Sequence, residues 1–102
     1  MAEAGPMTEA MYYVLLALTE PDHGYGLMQR IKEITSGRVI MGPGTLYGLI
    51  TKLTKTGYIE LSREEERRKT YLITEKGKQA LLEEYKRLKQ LVEDGRRLEY
   101  ED

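Results

Sequence analysis

The chain has 102 residues, with 16 Lys plus Arg against 17 Asp plus Glu, one His and no Cys. That length fits one domain with a modest core, because a chain of this size buries only about 60 to 70 % of the surface its unfolded form exposes; self-association is an expected source of extra stability. At 40 % hydrophobic and 32 % charged residues it is too apolar for a disordered tail and too often interrupted by charge for a membrane span of roughly 20 residues.

Without cysteine there is no disulfide framework and no thiolate ligand or nucleophile, and the start, Met1 to Met7, lacks the basic and apolar stretches of a secretory signal. A cytoplasmic protein is expected. The formal net charge of −1 is a sum over unlike segments. Residues 1–36 carry 2 basic and 5 acidic groups, residues 37–79 carry 9 and 5, and residues 80–102 carry 5 and 7. Only the middle segment is basic, and a binding face is local.

In chain order, Thr8 is a plausible N-cap for a helix through Met11 to Leu18 that stops before Pro21. That helix is apolar on nearly every side, which predicts one face against its own core and another against a partner subunit, the alternative being a central helix buried wholly within its own chain. Asp22 is expected to cap a second helix, where Leu27, Met28, Ile31 and Ile34 repeat at helical spacing and Gly37 closes the end. After Gly42-Pro43-Gly44 a third, short helix places Leu46, Leu49, Ile50 and Leu53 on one face and ends at Gly57. The period then turns from helical to alternating: Tyr58, Ile59 and Leu61, then Tyr71 and Ile73, with Glu64-Glu65-Glu66 at the bend, read as a β-hairpin. Thr74 caps a last helix whose Leu81, Tyr85, Leu88 and Val92 step by 4, 3 and 4, the spacing of a coiled-coil seam, with Leu91 and Leu98 widening the stripe. Glu99 to Asp102 read as a frayed end.

The fold class expected is mainly α with a small β-hairpin, a winged helix-turn-helix over residues 1–74 followed by a long C-terminal dimerisation helix over residues 75–102. On the third helix the buried set leaves Thr45, Tyr47, Gly48, Thr51, Lys52 and Lys55 outward. Thr hydroxyls can meet base edges or phosphates, Tyr47 can donate to a phosphate, Gly48 allows close approach to a groove wall, and the lysines supply charge. The hairpin adds Arg63, Arg67, Arg68 and Lys69, so two elements present cations together. Glu64, Glu65 and Glu66 would repel phosphates unless the arginines and lysine, rather than the tip, make the contact.

The turn His23-Gly24-Tyr25-Gly26 is read as structural, with the glycines permitting close helix packing and His23 bonded near the helix start. One His without cysteines or clustered carboxylates gives no usual zinc site, and there is no Walker-type Gly-Lys-Ser/Thr sequence. Nucleophilic catalysis lacks a base partner, so neither an enzyme, a metal nor a cofactor is expected.

Together Tyr13-Val14-Leu15-Leu16-Ala17-Leu18, His23-Gly24-Tyr25-Gly26, Gly42-Pro43-Gly44-Thr45-Leu46-Tyr47, Leu53, Gly57-Tyr58-Ile59, and Arg67-Arg68-Lys69 followed by Tyr71, Thr74, Glu75, Lys76 and Gly77 resemble the PadR family of bacterial transcriptional regulators. The resemblance implies a homodimeric DNA-binding repressor released by a small aromatic or drug-like effector. It also implies the short subgroup, with a single C-terminal helix that swaps across the dimer onto the partner's first helix. The interface residues so implied are Val14, Leu81, Tyr85, Leu88 and Val92. Stacking on an effector would fall to Tyr85 with Tyr12 and Tyr13, since the chain has no Trp and no Phe. Duplex DNA with a palindromic operator is the expected partner, contacted at bases by Thr45, Gly48 and Thr51 and at phosphates by Lys52, Lys55, Arg68 and Lys69. The rival reading is a winged-helix protein-interaction module whose basic segment is only a solvated face.

Overall fold

A computed structural model describes residues 6–100. Its elements are α1 (Glu9–Ala17), β1 (Asp22–His23), α2 (Gly24–Ile34), α3 (Pro43–Lys55), β2 (Ile59–Glu65), β3 (Arg68–Ile73) and α4 (Glu75–Asp94), followed by a 3-10 turn over Arg96–Tyr100. Positions 1–5, within the expected leaderless start, and positions 101–102 of the expected frayed end lie outside the described residues.

Thr8 starts α1 by accepting the Met11 N–H on its hydroxyl at 3.1 Å, satisfying one of the amides a helix start leaves without a partner. The second helix starts differently from the expectation. Its cap is His23, whose Nδ1 accepts the Gly26 N–H at 3.2 Å. Asp22 is one residue too early and lies in β1, where its Oδ1 accepts the His23 N–H at 2.8 Å and its carboxylate faces Arg30 at 2.9 Å. The two-residue strand β1 makes the expected hairpin a three-stranded antiparallel sheet of order β1-β3-β2, with Asp22 opposite Tyr71 and His23 opposite Thr70.

The third helix closes as glycine at its end predicts. Gly57 has a φ of +83°, the Tyr58 N–H reaches the Leu53 carbonyl at 2.9 Å and the Gly57 N–H that of Thr54 at 3.1 Å. This is a Schellman closure, which needs a residue at ease in the left-handed region. Thr74 then ties α4 to this turn. Its N–H donates to the Tyr58 carbonyl and its hydroxyl to that of Gly57, while the hydroxyl accepts the Gly77 N–H. Gly77 has no room for a side chain, since a Cβ there would run into the Tyr58 carbonyl and Ile73.

The core collects Leu15 and Leu18 from α1, Leu27 and Ile31 from α2, Leu46, Ile50 and Leu53 from α3, Ile59 and Ile73 from the sheet, and Leu81 from α4. Burial of these aliphatic side chains, about 1.5 to 3 kcal/mol each, is the main force holding the helices to the sheet. Helix α4 ends at Asp94 with Gly95 as its C-cap, so Leu98 belongs to the 3-10 turn and not to the helical stripe.

Candidate nucleic-acid interface

Helix α3 buries Leu46, Ile50 and Leu53 and leaves Thr45, Tyr47, Gly48, Thr51, Lys52 and Lys55 exposed, the division its period predicts. Pro43 occupies its first turn and no side chain caps its start. The Gly44 and Thr45 amides thus face outward at the positive end of the helix dipole. The Thr51 hydroxyl donates back to the Tyr47 carbonyl at 3.0 Å, so what it offers outward is its oxygen lone pairs and methyl group. A Cβ at Gly44 or Gly48 would meet nothing within 4 Å, which leaves the backbone of this face uncovered.

Strands β2 and β3 form the wing. A register shift between Leu61 and Arg63 accommodates one extra residue, after which Glu64 faces Lys69 and Glu65 faces Arg68 across the strands. The turn is made by Glu66 and Arg67, with Glu66 at a φ of +51°, a conformation that Gly or Asn adopts at lower cost. Of the four wing cations, Arg63 lies 3.6 Å from Glu65. Arg67, Arg68 and Lys69 have no ion-pair partner among the described residues.

These three residues lie across a cleft from the start of α2. With Tyr71 they form one wall of this cleft of about 320 Å³, and His23, Gly24, Tyr25 and Tyr47 form the other. No carboxylate among the described residues lines it. Strand β1 sets the width, because it pairs with β3 on one side and runs directly into α2 on the other. Gly24 lets Tyr47 in, since a Cβ at 24 would collide with the phenol ring. His23, Tyr25 and Tyr71 were not legible as members of this face. Tyr71 already belongs to the wing; only β1 brings His23 and Tyr25 to it, and two residues without a repeat leave no periodic trace.

The proposed effector residues are partly brought together. Tyr12 and Tyr13 pack edge to face, ring centres 5.8 Å apart, and line a cavity of about 280 Å³ with Met7, Thr8, Glu9, Glu84 and Leu88. Tyr85 does not line it and is half exposed on α4. Burial, with the nearby Tyr85, Tyr13 and Glu84 adding to it, pushes the Tyr12 phenol above its ordinary range, so it stays a hydrogen-bond donor at neutral pH. Glu84, a residue the sequence did not single out, is 6 % exposed. It accepts from Arg87 Nε at 3.0 Å and Nη2 at 2.7 Å and from the Met7 N–H at 3.3 Å. The Arg87 hydrogen bonds hold its carboxyl below the usual range, against the opposing effect of burial.

The expected interface set divides as well. Val14 and Leu81 are buried in the chain's own core at 0 % and 8 % exposed, so neither is available to a partner in this fold. Packing inward claims both, Val14 because α1 turns that face to the core and Leu81 because the first turns of α4 dock on it. Tyr85, Leu88 and Val92 lie farther along α4 and keep surface, with Leu91 beside them. Among the described residues no group of three or more His, Asp or Glu is placed to hold a metal, and no helix is long and apolar enough to cross a membrane.

Three helices around one core with a β-hairpin flanking the third are a winged helix-turn-helix. Residues 14–83 match the transcriptional regulator PadR-like family, and the chain belongs to that family. Its fold is similar to a PadR-like transcription factor from Bacteroides fragilis, with 31 % identity and a TM-score of 0.75 over 87 % of this chain and 88 % of that one. A PadR-like regulator from Bacillus cereus, 22 % identical, shares the fold with a TM-score of 0.75 over 91 % and 93 % of the two chains. Among curated proteins, the transcriptional regulator YqjI of Escherichia coli is 31 % identical over 87 residues, which are 84 % of this chain. An uncharacterised 37.1 kDa protein in a transposon of Streptomyces fradiae is 31 % identical over 74 residues, 72 % of this chain. The match spans 42 % and 21 % of the length of those two relatives.

Proposed function

We propose that this chain is a sequence-specific DNA-binding regulator that acts as a homodimer. The observation that carries the proposal is the convergence of three wing cations, unpaired among the described residues, with Tyr47 and the start of α2 on a cleft that no described carboxylate lines, beside the uncovered outer face of α3. A row of anions spaced along a groove matches that surface. In the proposed complex α3 enters a major groove about 12 Å wide. Thr45, Gly48 and Thr51 meet base edges, Lys52 and Lys55 meet phosphates at the far end of the helix, and Arg67, Arg68 and Lys69 hold the flanking backbone.

Residues 1–74 read the DNA and residues 75–102 pair two copies, through Tyr85, Leu88 and Val92 against the partner's first helix. Two copies place their third helices in successive major grooves about 34 to 36 Å apart and so read a palindrome. Repression relieved by a small aromatic ligand in the cavity of Tyr12 and Tyr13 completes the proposal. Selection of bound sequences from a random duplex pool tests it. A palindromic consensus is expected; recovery of no enriched sequence would reject the reading in favour of a protein-interaction module.

A further inference from the structure

We infer that Arg38 is a positioning residue for α3, a strut that fixes the segment launching this helix against α1. Its effect on DNA rests on the reading just proposed, but the strut itself rests on geometry alone. Arg38 lies in the connection between α2 and α3, directly after two left-handed residues, Ser36 at φ +53° and Gly37 at φ +82°. The chain reverses there and the side chain crosses back to α1. Its Nη1 donates to Glu9 Oε2 at 2.6 Å, its Nη2 donates to the Tyr13 hydroxyl at 2.7 Å, and its guanidinium carbon lies 5.7 Å from the Tyr13 ring centre. Glu9 and Tyr13 are four residues apart and so share one face of α1.

A planar fork serves two such acceptors at once, whereas an ammonium is a single point charge on a flexible stem. The Glu9 hydrogen bond, with Tyr13 adding to it, raises the already high Arg38 pKa further, so the strut is charged at every pH the fold meets. Gly42, the N-cap of α3, follows four residues later. Between them Ile40 is 73 % exposed and Met41 is buried. The launching segment is therefore fastened at two places. Met41 in the core sets how deep α3 begins, and Arg38 on α1 sets the path by which the chain arrives. Leu46, Ile50 and Leu53 hold the body of α3 in the core, but its start has no side-chain cap of its own, so the first turn takes its local support from that connection.

Arg38 also carries a charge of the kind that contacts phosphate, and two measurements separate the roles. The first uses the free chain: amide exchange at Val39, whose N–H donates to Thr35 Oγ1 at 3.0 Å, and at Leu46, whose N–H donates to the Gly42 carbonyl at 3.0 Å. Arg38→Ala, Arg38→Lys and Glu9→Ala are each expected to speed both by about threefold to tenfold, the range of coupling at paired groups, with the Leu53 amide unchanged. Unchanged exchange at Val39 and Leu46 overturns the strut whether or not the chain binds DNA.

The second is affinity for a duplex the wild-type chain selects. Glu9→Ala removes a negative charge, and by charge alone it would bind DNA more tightly. The strut predicts the opposite sign, a loss of about threefold to tenfold with the salt slope unchanged, and it predicts that Arg38→Lys is as weak as Arg38→Ala. Tighter binding by Glu9→Ala overturns it. So does recovery in Arg38→Lys together with a salt slope lower by about 1.8 in Arg38→Ala, the signature of one phosphate contact in each copy of the dimer. Failure of the wild-type chain to select any sequence would reject the DNA reading, and the exchange result would still decide the strut.

Discussion

On the body of the molecule Arg30 donates to the Ala17 and Glu20 carbonyls and lies 2.9 Å from Asp22, Arg38 is forked onto Glu9 and Tyr13, and Arg87 is forked onto Glu84. At the wing, Arg67, Arg68 and Lys69 have no such partners among the described residues, although Glu64 and Glu65 stand opposite two of them in strand register. The same residue types thus do two kinds of work. A cation whose donors are used within the chain holds helices and connections in place. A cation left without a partner, beside a cleft without carboxylates, keeps its charge available for something outside the chain. This difference explains how a chain with net charge −1 presents one basic face.

The largest expected effect comes from removing the unpartnered group. Replacing Arg67, Arg68 and Lys69 together by Ala in both copies of the dimer should lower the log–log salt slope of DNA binding by about 5.4, six contacts at about 0.9 each, and near 0.15 M salt weaken binding by about four orders of magnitude. The melting midpoint should hardly move, since exposed surface changes usually fall within about 0.5 kcal/mol. Replacing Arg30 by Met should do the reverse. Losing its hydrogen bonds should destabilise the fold by about 1 to 3 kcal/mol and leave the salt slope alone. A triple variant that melts early, or an Arg30→Met chain with a reduced slope, would break the distinction. Thermal melts and salt titrations on both variants decide it.

Glycines sharpen the same contrast at smaller cost. A Cβ at Gly24 would strike the far end of the half-exposed Tyr47 ring, so Gly24→Ala should swing the ring out of the cleft and weaken DNA binding while costing under about 1 kcal/mol of stability. Gly48 lies mid-helix with nothing near it, so Gly48→Ala should stabilise the free chain by about 0.5 to 1 kcal/mol. On DNA the sign reverses, because the added methyl keeps α3 from the groove wall. Chemical denaturation paired with binding measurements tests both. A Gly48→Ala chain that binds as well as wild type would remove that face from the interface.

These contrasts also show what was legible in the sequence. Helix α3 could be divided into inner and outer faces because Leu46, Ile50 and Leu53 recur at the helical period, and burial follows the period directly. The terminator Gly57 and the caps Thr8 and Thr74 were legible because each satisfies a local backbone need within three or four residues. The cap of α2 was misplaced by one residue because Asp is the commoner cap, and the pairing of β1 with β3, a contact across about fifty residues, claims Asp22 instead. Glu84 and Arg38 were invisible for a related reason. A charged residue on a helix or loop reads as solvated until tertiary contacts bury it or give it a partner. Val14 and Leu81 were assigned to a partner because periodicity says that a face is buried, not by which chain.

The smallest predicted effect compares carboxylates rather than cations. Glu84 is held by Arg87 and by the Met7 N–H, and its pKa is depressed, first through the Arg87 hydrogen bonds. A depressed carboxylate contributes stability that is fully present above its unfolded value, about 4.3, and is lost as pH falls through its lower folded value. The wild-type chain should therefore lose stability below about pH 4.5 more steeply than Glu84→Gln, which cannot take up that proton. The two curves should converge at the acidic end and separate towards neutrality, with the wild type higher. A variant with Glu64, Glu65 and Glu66 all changed to Gln should instead keep the wild-type acid slope, because among the described residues only Glu65 of the three has an ion-pair partner, and that pair, 3.6 Å apart within a single strand, ties no two elements together. Parallel acid curves for wild type and Glu84→Gln would show that the Glu84 contact with Arg87 carries none of the stability that the buried carboxylate implies, and that the body and the wing treat their acids alike.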